Sequence, residues 1–315
     1  MDIPNIHPAA LRPGSTICVI APAGPVENAD ALDRGIATLE RLGFRVRYDR
    51  RIFESARYLA GDDRARAQEL MRAFEDPAID GVVSLRGGYG CARLLPHLEE
   101  GRLRPHCKLF MGFSDLTTLH LHFRRRFGWV TVHGPMMTSV PLAELRPDQE
   151  LHLVSLLTDP EYRPRLSFPG LQAWKPGVAE GRLAGGCLSL VVASLGTPYE
   201  IRTEGRILFF EELGEEPYRL DRMITQLRQA GKLDRPAGIM LGSFEKCETE
   251  GASYRSAEVL ADLLCDLDVP VLANFPAGHG EQNWALPFGV RVRLDADSPS
   301  LELLEPTVVR LTVVG

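Results

Sequence analysis

The sequence predicts an α/β protein, with an N-terminal doubly wound domain on a parallel sheet and a smaller, mixed and β-rich C-terminal domain. Three observations lead there. Continuous apolar runs such as 16–21 (T-I-C-V-I-A) and 81–85 (G-V-V-S-L) have the character of strands buried on both faces. Between them apolar residues recur at helical spacing, so strand and helix alternate through the first half. Around 158–177 the pattern breaks into Pro160, Pro164, Pro169, Gly170, Pro176 and Gly177, and a strand-rich second half follows.

Taken in order, the run 16–21 stops at the turn Pro22-Ala23-Gly24-Pro25. A helix follows on Ala31, Leu32, Ile36, Leu39 and Leu42, closed by Gly43. A short strand is expected over 45–48. Asp62 caps the next helix, which carries Ala65, Leu70, Met71 and Phe74 and stops before Pro77. The strand 81–85 runs into the loop Arg86-Gly87-Gly88-Tyr89-Gly90 and a helix through Leu94 and Leu95. A strand over 109–111, a turn at Ser114, a helix and a strand over 130–133 complete the first domain, 1–157. The stretch 158–177 is expected to be a linker and 178–315 the second domain. There the pattern predicts strands over 178–183, 207–210, 239–241 and 271–273, and a turn at Gly185-Gly186. Helices are expected over 188–195, 218–230 and 256–267, and an antiparallel tail over 289–294, 301–304 and 308–313.

Composition narrows the function. Across 315 residues, 44% are hydrophobic and 25% charged, the balance of a globular protein. A net charge of −6 leaves no basic surplus to neutralise phosphates, which argues against a nucleic-acid partner. No apolar run approaches the roughly 20 residues of a membrane span, and the start shows no basic-then-apolar leader. The six cysteines are scattered without a C-x-x-C pair, as expected of thiols in a reducing cytoplasm. His120 and His122 stand two apart and no His/Cys cluster has zinc spacing, so neither metal nor cofactor is expected.

Ligands on a parallel sheet sit at the carboxyl ends of its strands. Three turns fall there: Ala23-Gly24, Arg86–Gly90 and Ser114. In Gly112-Phe113-Ser114-Asp115-Leu116 a serine lies between strand and helix, a partial match to a nucleophile elbow with Leu116 in place of the second glycine. A serine that merely caps the helix is the competing reading. The glycine loop lets a ligand approach the backbone, or simply supplies a turn of positive φ. In the second half, Glu211 and Glu212 follow an apolar strand. Either can orient a histidine, although a carboxylate beyond a strand is most often solvated. His279, between Gly278 and Gly280, follows the strand 271–273 and is placed as a general base. His133, in V-H-G-P-M, also ends a strand.

Together these stretches resemble the LD-carboxypeptidase family of serine peptidases, which includes murein tetrapeptide carboxypeptidases and the peptidases that give immunity to microcin C. The matching segments run in order: I-A-P from Ile20, Y-L-A-G-D-D-R-A-R-A-Q-E-L from Tyr58, R-G-G-Y-G from Arg86, G-F-S-D-L-T from Gly112 and H-G-P-M from His133. In the second half they are G-G-C-L-S from Gly185, G-T-P-Y from Gly196, F-E-E-L-G-E-E-P-Y-R-L-D-R-M from Phe210 and G-H-G from Gly278. The resemblance implies a Ser114–His279–Glu211 triad, an oxyanion hole from the Gly88 and Asp115 backbone N–H groups, and a homodimer. It also implies release of C-terminal D-alanine from a murein tetrapeptide; the carboxylate of that residue needs a cationic or N–H-rich seat, for which Arg86 is the candidate, a structural ion pair being its competing role. Ala23 stands where many members have Ser, and Cys187 where Asn is common. Three other readings stay open. One is the same triad acting on a peptidyl or aminoacyl nucleotide, with Trp174 or Trp284 as an aromatic platform. A second is a non-catalytic α/β protein that binds a small anion. The third is a Rossmann dehydrogenase, which the missing G-x-G-x-x-G disfavours.

Overall fold

The computed structural model describes residues 3–310. They form two compact units, residues 3–162 with 284–287 and 306–310, and residues 163–283 with 288–305.

The first unit is built on β1 (Thr16–Ile20), β2 (Arg45–Tyr48), β3 (Gly81–Ser84), β4 (Leu109–Gly112) and β5 (Thr131–His133). Their order is β5-β4-β3-β1-β2, every neighbouring pair is parallel, and the strand Leu286–Phe288 lies beside β5. β3 and β4 are buried along their whole length, as their unbroken apolar character requires. The connecting helices begin where the sequence places polar caps. Asn28 accepts from the Ala31 N–H ahead of the helix Ala29–Arg41. Asp62 accepts from the Arg64 and Ala65 N–H groups ahead of the helix Asp63–Glu75. An aromatic core of Phe74, Phe110, Phe123, Phe127 and Trp129 fixes the helix Thr117–Phe127 against β4, with ring centroids 4.9–6.1 Å apart. Packing of this kind holds the turn between them, which carries Ser114.

The second unit holds one mixed sheet. Its strands are β6 (Arg165–Leu166), β7 (Gln172–Lys175), β8 (Val178–Cys187), β9 (Arg206–Leu213), β10 (Gly238–Glu245) and β11 (Val271–Ala273). After β11 the chain returns to the first unit as β12 (Leu286–Phe288) and then supplies β13 (Arg291–Asp295) and β14 (Ser300–Leu303). The order is β6-β14-β13-β8-β9-β10-β11-β7. The four central strands β8 to β11 are parallel, and antiparallel strands close both sides.

Three expectations change. The stretch 158–177 carries β6 and β7, which extend the second sheet at its two edges. Proline and glycine punctuate short edge strands just as they punctuate linkers. Gly185-Gly186 is not a turn but lies inside β8, whose residues pair with Phe209 and Phe210 of β9. A Cβ on Gly185 would strike the Phe209 carbonyl, and its φ of +141° suits only glycine, so these residues let two strands approach closely. Of the expected strand 308–313, residues 311–313 lie outside the described residues, and Val309 makes an isolated parallel bridge to Ala9. Among the described residues no helix is long and apolar enough to cross a membrane.

Candidate active site

In the first unit the three strand-end turns meet. β4 ends at Gly112, Phe113 remains extended, and Ser114 turns into the left-handed region at φ +63°. A β-substituted residue there carries roughly 1–3 kcal/mol of strain, which the surrounding packing must hold. The reasons for the neighbouring glycines are steric. A Cβ on Gly112 would lie 2.9 Å from Leu116, and one on Gly87 would lie 2.9 Å from both Cβ and Oγ of Ser114. The glycine loop therefore lies directly against the serine, with Gly88 at φ +109° and Gly90 at +139°. The Gly24 N–H donates to the Gly87 carbonyl at 3.0 Å, joining the first turn to the loop.

Two buried side chains complete this frame. Arg66, within the D-D-R-A-R segment, is fully buried and donates through Nη1 to the carbonyls of Pro22 and Gly90, and through Nη2 to Asp63. Asp115, 2% exposed, accepts the Cys91 N–H at 2.8 Å and so caps the short helix after the glycine loop. Burial raises its carboxyl pKa against the hydrogen bonds that stabilise the anion. His120 braces the elbow from the helix. Its Nε2–H donates to the Gly112 carbonyl at 2.8 Å, and its Nδ1 accepts from the Thr131 hydroxyl at 2.9 Å. Burial holds it neutral, with its pKa lowered to about 3. Arg86 is ion-paired to the exposed Glu27 and donates to the Pro25 carbonyl at 3.2 Å.

In the second unit Glu211 is not a solvated loop carboxylate. β9 runs on to Leu213 between β8 and β10, and Glu211 is completely buried. Strand position, set by distant pairing, overrides the preference of a carboxylate for water. The buried charge is met by His279, whose Nδ1–H donates to Oε2 at 2.6 Å and whose backbone N–H donates to the same oxygen at 3.1 Å. This fixes the tautomer in which Nε2 is the accepting nitrogen. Burial works to lower the imidazole pKa. The hydrogen bond and charge of Glu211, with Glu212 and Glu245 further away, overcome it and leave the pKa raised. Glu212, also buried, accepts from the Ser189 N–H at 2.7 Å and the Leu213 N–H at 2.9 Å, and its pKa is raised by burial. Cys187 donates its thiol to Glu212 at 3.3 Å.

Sequence reasoning missed Arg66, His120 as a brace, and the side chains Ser243 and Asn283 that touch the His279 loop. His120, Ser243 and Asn283 are polar residues in or beside apolar runs, the one signal that marks them, whereas Arg66 lies in a polar helix segment and is marked only by its burial. Of the two tryptophans, Trp284 is buried against His152 at 5.0 Å, whereas Trp174 lines a cavity of about 520 Å³ in the second unit. His133 is fully buried beside Phe113, a core position.

A parallel strand-and-helix sheet in the first unit and a mixed sheet with four parallel central strands in the second define a class, the two-unit α/β proteins. The particular family follows from comparison: the chain belongs to the LD-carboxypeptidases. The family's N-terminal domain model matches residues 17–134 and its C-terminal domain model residues 180–294. The probable murein peptide carboxypeptidase of Bacillus subtilis is 36% identical over 294 residues, 92% of either chain. The crystal structure of muramoyltetrapeptide carboxypeptidase from Oxalobacter formigenes is 30% identical, covers 92% of this chain and 98% of its own, and superposes with a TM-score of 0.79. The microcin C7 self-immunity protein MccF of Escherichia coli is 26% identical, over 95% of this chain and 96% of its own. A structure of MccF in complex with glutamyl sulfamoyl guanosine gives a TM-score of 0.90 at 24% identity over 96% of this chain and 99% of its own, a likeness of fold.

Proposed function

We propose that this LD-carboxypeptidase is serine-type and releases C-terminal D-alanine from a murein tetrapeptide by cleaving the bond between an L-centre and the D-residue. The observation that carries the reading is the backbone of Ser114, a non-glycine residue at φ +63° with a glycine loop packed against its hydroxyl. A helix cap needs no such conformation, because capping serines are ordinarily extended.

In this reading His279 Nε2 takes the Ser114 hydroxyl proton as Oγ attacks the amide carbon, and Glu211 stabilises the resulting imidazolium. The tetrahedral oxyanion receives hydrogen bonds from the N–H groups of Gly88 and Asp115. The latter lies in the first turn of a helix, where N–H groups lack an intrahelical partner. Collapse breaks the C–N bond, and the imidazolium protonates the departing D-alanine amine. Water then gives a proton to His279 and attacks the ester, and Ser114 recovers its proton. Arg86 seats the D-alanine carboxylate, exchanging Glu27 for the substrate. The active protein is a cytoplasmic homodimer in this proposal.

Mass spectrometry of the protein incubated with murein tetrapeptide, with Ser114→Ala alongside, tests it. The expected result is loss of one alanine with the unmodified protein only. Normal turnover by Ser114→Ala overturns the mechanism. A second reading, a peptidyl or aminoacyl nucleotide substrate, draws on Trp174 beside an open cavity. Cleavage of an aminoacyl sulfamoyl nucleoside but not of tetrapeptide would favour it. Lack of fluorophosphonate labelling at Ser114, together with no cleavage, would favour a small-anion-binding protein.

A further inference from the structure

The loop that presents His279 is held in an unusual way. Its three consecutive N–H groups each go to a different side chain. Gly278 N–H donates to Asn283 Oδ1 at 3.0 Å, His279 N–H to Glu211 Oε2 at 3.1 Å, and Gly280 N–H to Ser243 Oγ at 3.0 Å. Ser243 also reaches the other side of the histidine. Its N–H donates to the Ala277 carbonyl at 2.9 Å, and its hydroxyl donates to the same oxygen at 3.3 Å. One serine thus grips the loop two residues before His279 and one residue after it.

The fold goes out of its way to put that serine there. Leu241 of β10 pairs with Phe210 of β9, and Phe244 with Glu212, so β10 has one more residue than β9 across this span. The irregularity falls on Gly242-Ser243, opposite Glu211. A bulge of this sort re-aims a side chain that a regular strand would direct elsewhere. Gly278 is shaped by the same contacts. At φ +115°, a Cβ on it would lie 2.5 Å from Glu211 Oε2 and 2.7 Å from Ser243 Oγ. Asn283 is 3% exposed, so its bond to Gly278 is shielded from water.

We propose that Ser243, assisted by Asn283, is the positioning residue of this site. Its hydroxyl fixes the 277–280 loop so that the His279 ring stays on Glu211 in the orientation a general base requires. The inference rests on the reading of His279 as that base. Ser243 does not meet the reacting atoms and acts only through the histidine. The charged groups bearing on the ring are Glu211 and Glu212 of β9 and Glu245 of β10, all carboxylates. Loosening the loop weakens the shortest of these interactions and leaves the longer ones, so the proton affinity of the imidazole falls part of the way.

The test uses Ser243→Ala and Ser243→Thr in the full chain, read by kcat and KM on murein tetrapeptide, the pH profile, and an NMR titration of the His279 ring. Ser243 borders an open cavity of about 520 Å³, which gives the threonine methyl room. Ser243→Ala is expected to lower kcat roughly 10- to 100-fold, the scale of an ångström-sized misplacement, with KM within about twofold. The acid limb and the ring titration both move to lower pH, and Ser243→Thr restores all three. Unchanged kcat and titration in Ser243→Ala overturn the proposal. So does a loss shared equally by both variants, with lowered thermal stability and an unmoved titration, since that is a structural role alone. Should the unmodified protein cleave no murein peptide while Ser243→Ala still shifts the titration, the murein-peptide reading falls and the positioning of the imidazole stands.

Discussion

Glu211 Oε2 accepts two hydrogen bonds from a single residue, the ring Nδ1–H of His279 at 2.6 Å and its backbone N–H at 3.1 Å. Ring and main chain are thereby referenced to one atom, and the imidazole has little freedom to turn. Replacing the carboxylate therefore has an outcome that can be stated in advance. Glu211→Gln keeps the shape but removes the charge and lets the other tautomer form. We expect kcat to fall about 10³- to 10⁴-fold with the fold intact by circular dichroism. A loss below tenfold would remove Glu211 from the mechanism.

In the proposed mechanism the same pair sets the pH dependence. The folded pKa of His279 is raised, so the neutral base appears only as pH climbs past the ordinary imidazole value of about 6.5. The acid limb of kcat/KM should lie above that value, and a limb at or below it would contradict the pairing. For stability the sign is opposite in pH. The bond to protonated His279 contributes fully below about 6.5 and is lost as pH rises through the raised folded pKa.

His120 and His122 should dominate on the acid side. Burial lowers their pKa values to about 3 and about 4, so both stay neutral in the fold and take up protons on unfolding. Their contribution is complete above about pH 6.5 and declines by up to about 1.4 kcal/mol per pH unit for each as pH falls towards 4. Urea melts at pH 7, 6 and 5 measure this, and His120→Gln should flatten the slope.

Ser114 predicts a trade between stability and activity. Ser114→Gly removes the Cβ from a left-handed residue, offset in part by the added freedom of the unfolded chain. The melting temperature should rise by about 2–4 °C while turnover disappears. A melting temperature that falls would mean the hydroxyl contributes more to the fold than its backbone withdraws.

Arg86 is held at rest by Glu27, a carboxylate whose side chain is 73% exposed. If Arg86 receives the carboxylate of the substrate, Glu27 competes with it. Glu27→Gln should lower KM about two- to fivefold and Arg86→Ala raise it, each with kcat little changed, the size expected of a partly exposed ion pair. A KM indifferent to both substitutions would leave Arg86 with a structural role only.

The alternation of strand and helix, the Ser114 turn and the strand before His279 were legible because each rests on local pattern. Where the reading failed, the deciding contact lies far along the chain. Glu211 looked solvated because its burial depends on β8 and β10, whose pairing with β9 no short window contains. Gly185-Gly186 looked like a turn because glycine serves both turns and close strand approach, and only the Phe209 carbonyl distinguishes them here. Ser243 and Asn283 carried no motif at all. The partner of Ser243, Gly280, is 37 residues away, and the bulge that aims Ser243 appears only once β9 and β10 are in register; Asn283 is the exception, its partner Gly278 lying five residues away in a loop of no regular pattern.

The excursion of the chain through its second unit bears on how the protein is made. β12, the strand beside β5, is synthesised about 150 residues after it, and Val309, the partner of Ala9, later still. At roughly 5–20 residues per second, β5 waits on the order of 8–30 s at the ribosome with an open edge. Such an edge is a template for pairing with other nascent chains. A chain truncated anywhere between His133 and Leu286 therefore lacks the last strand of the first sheet.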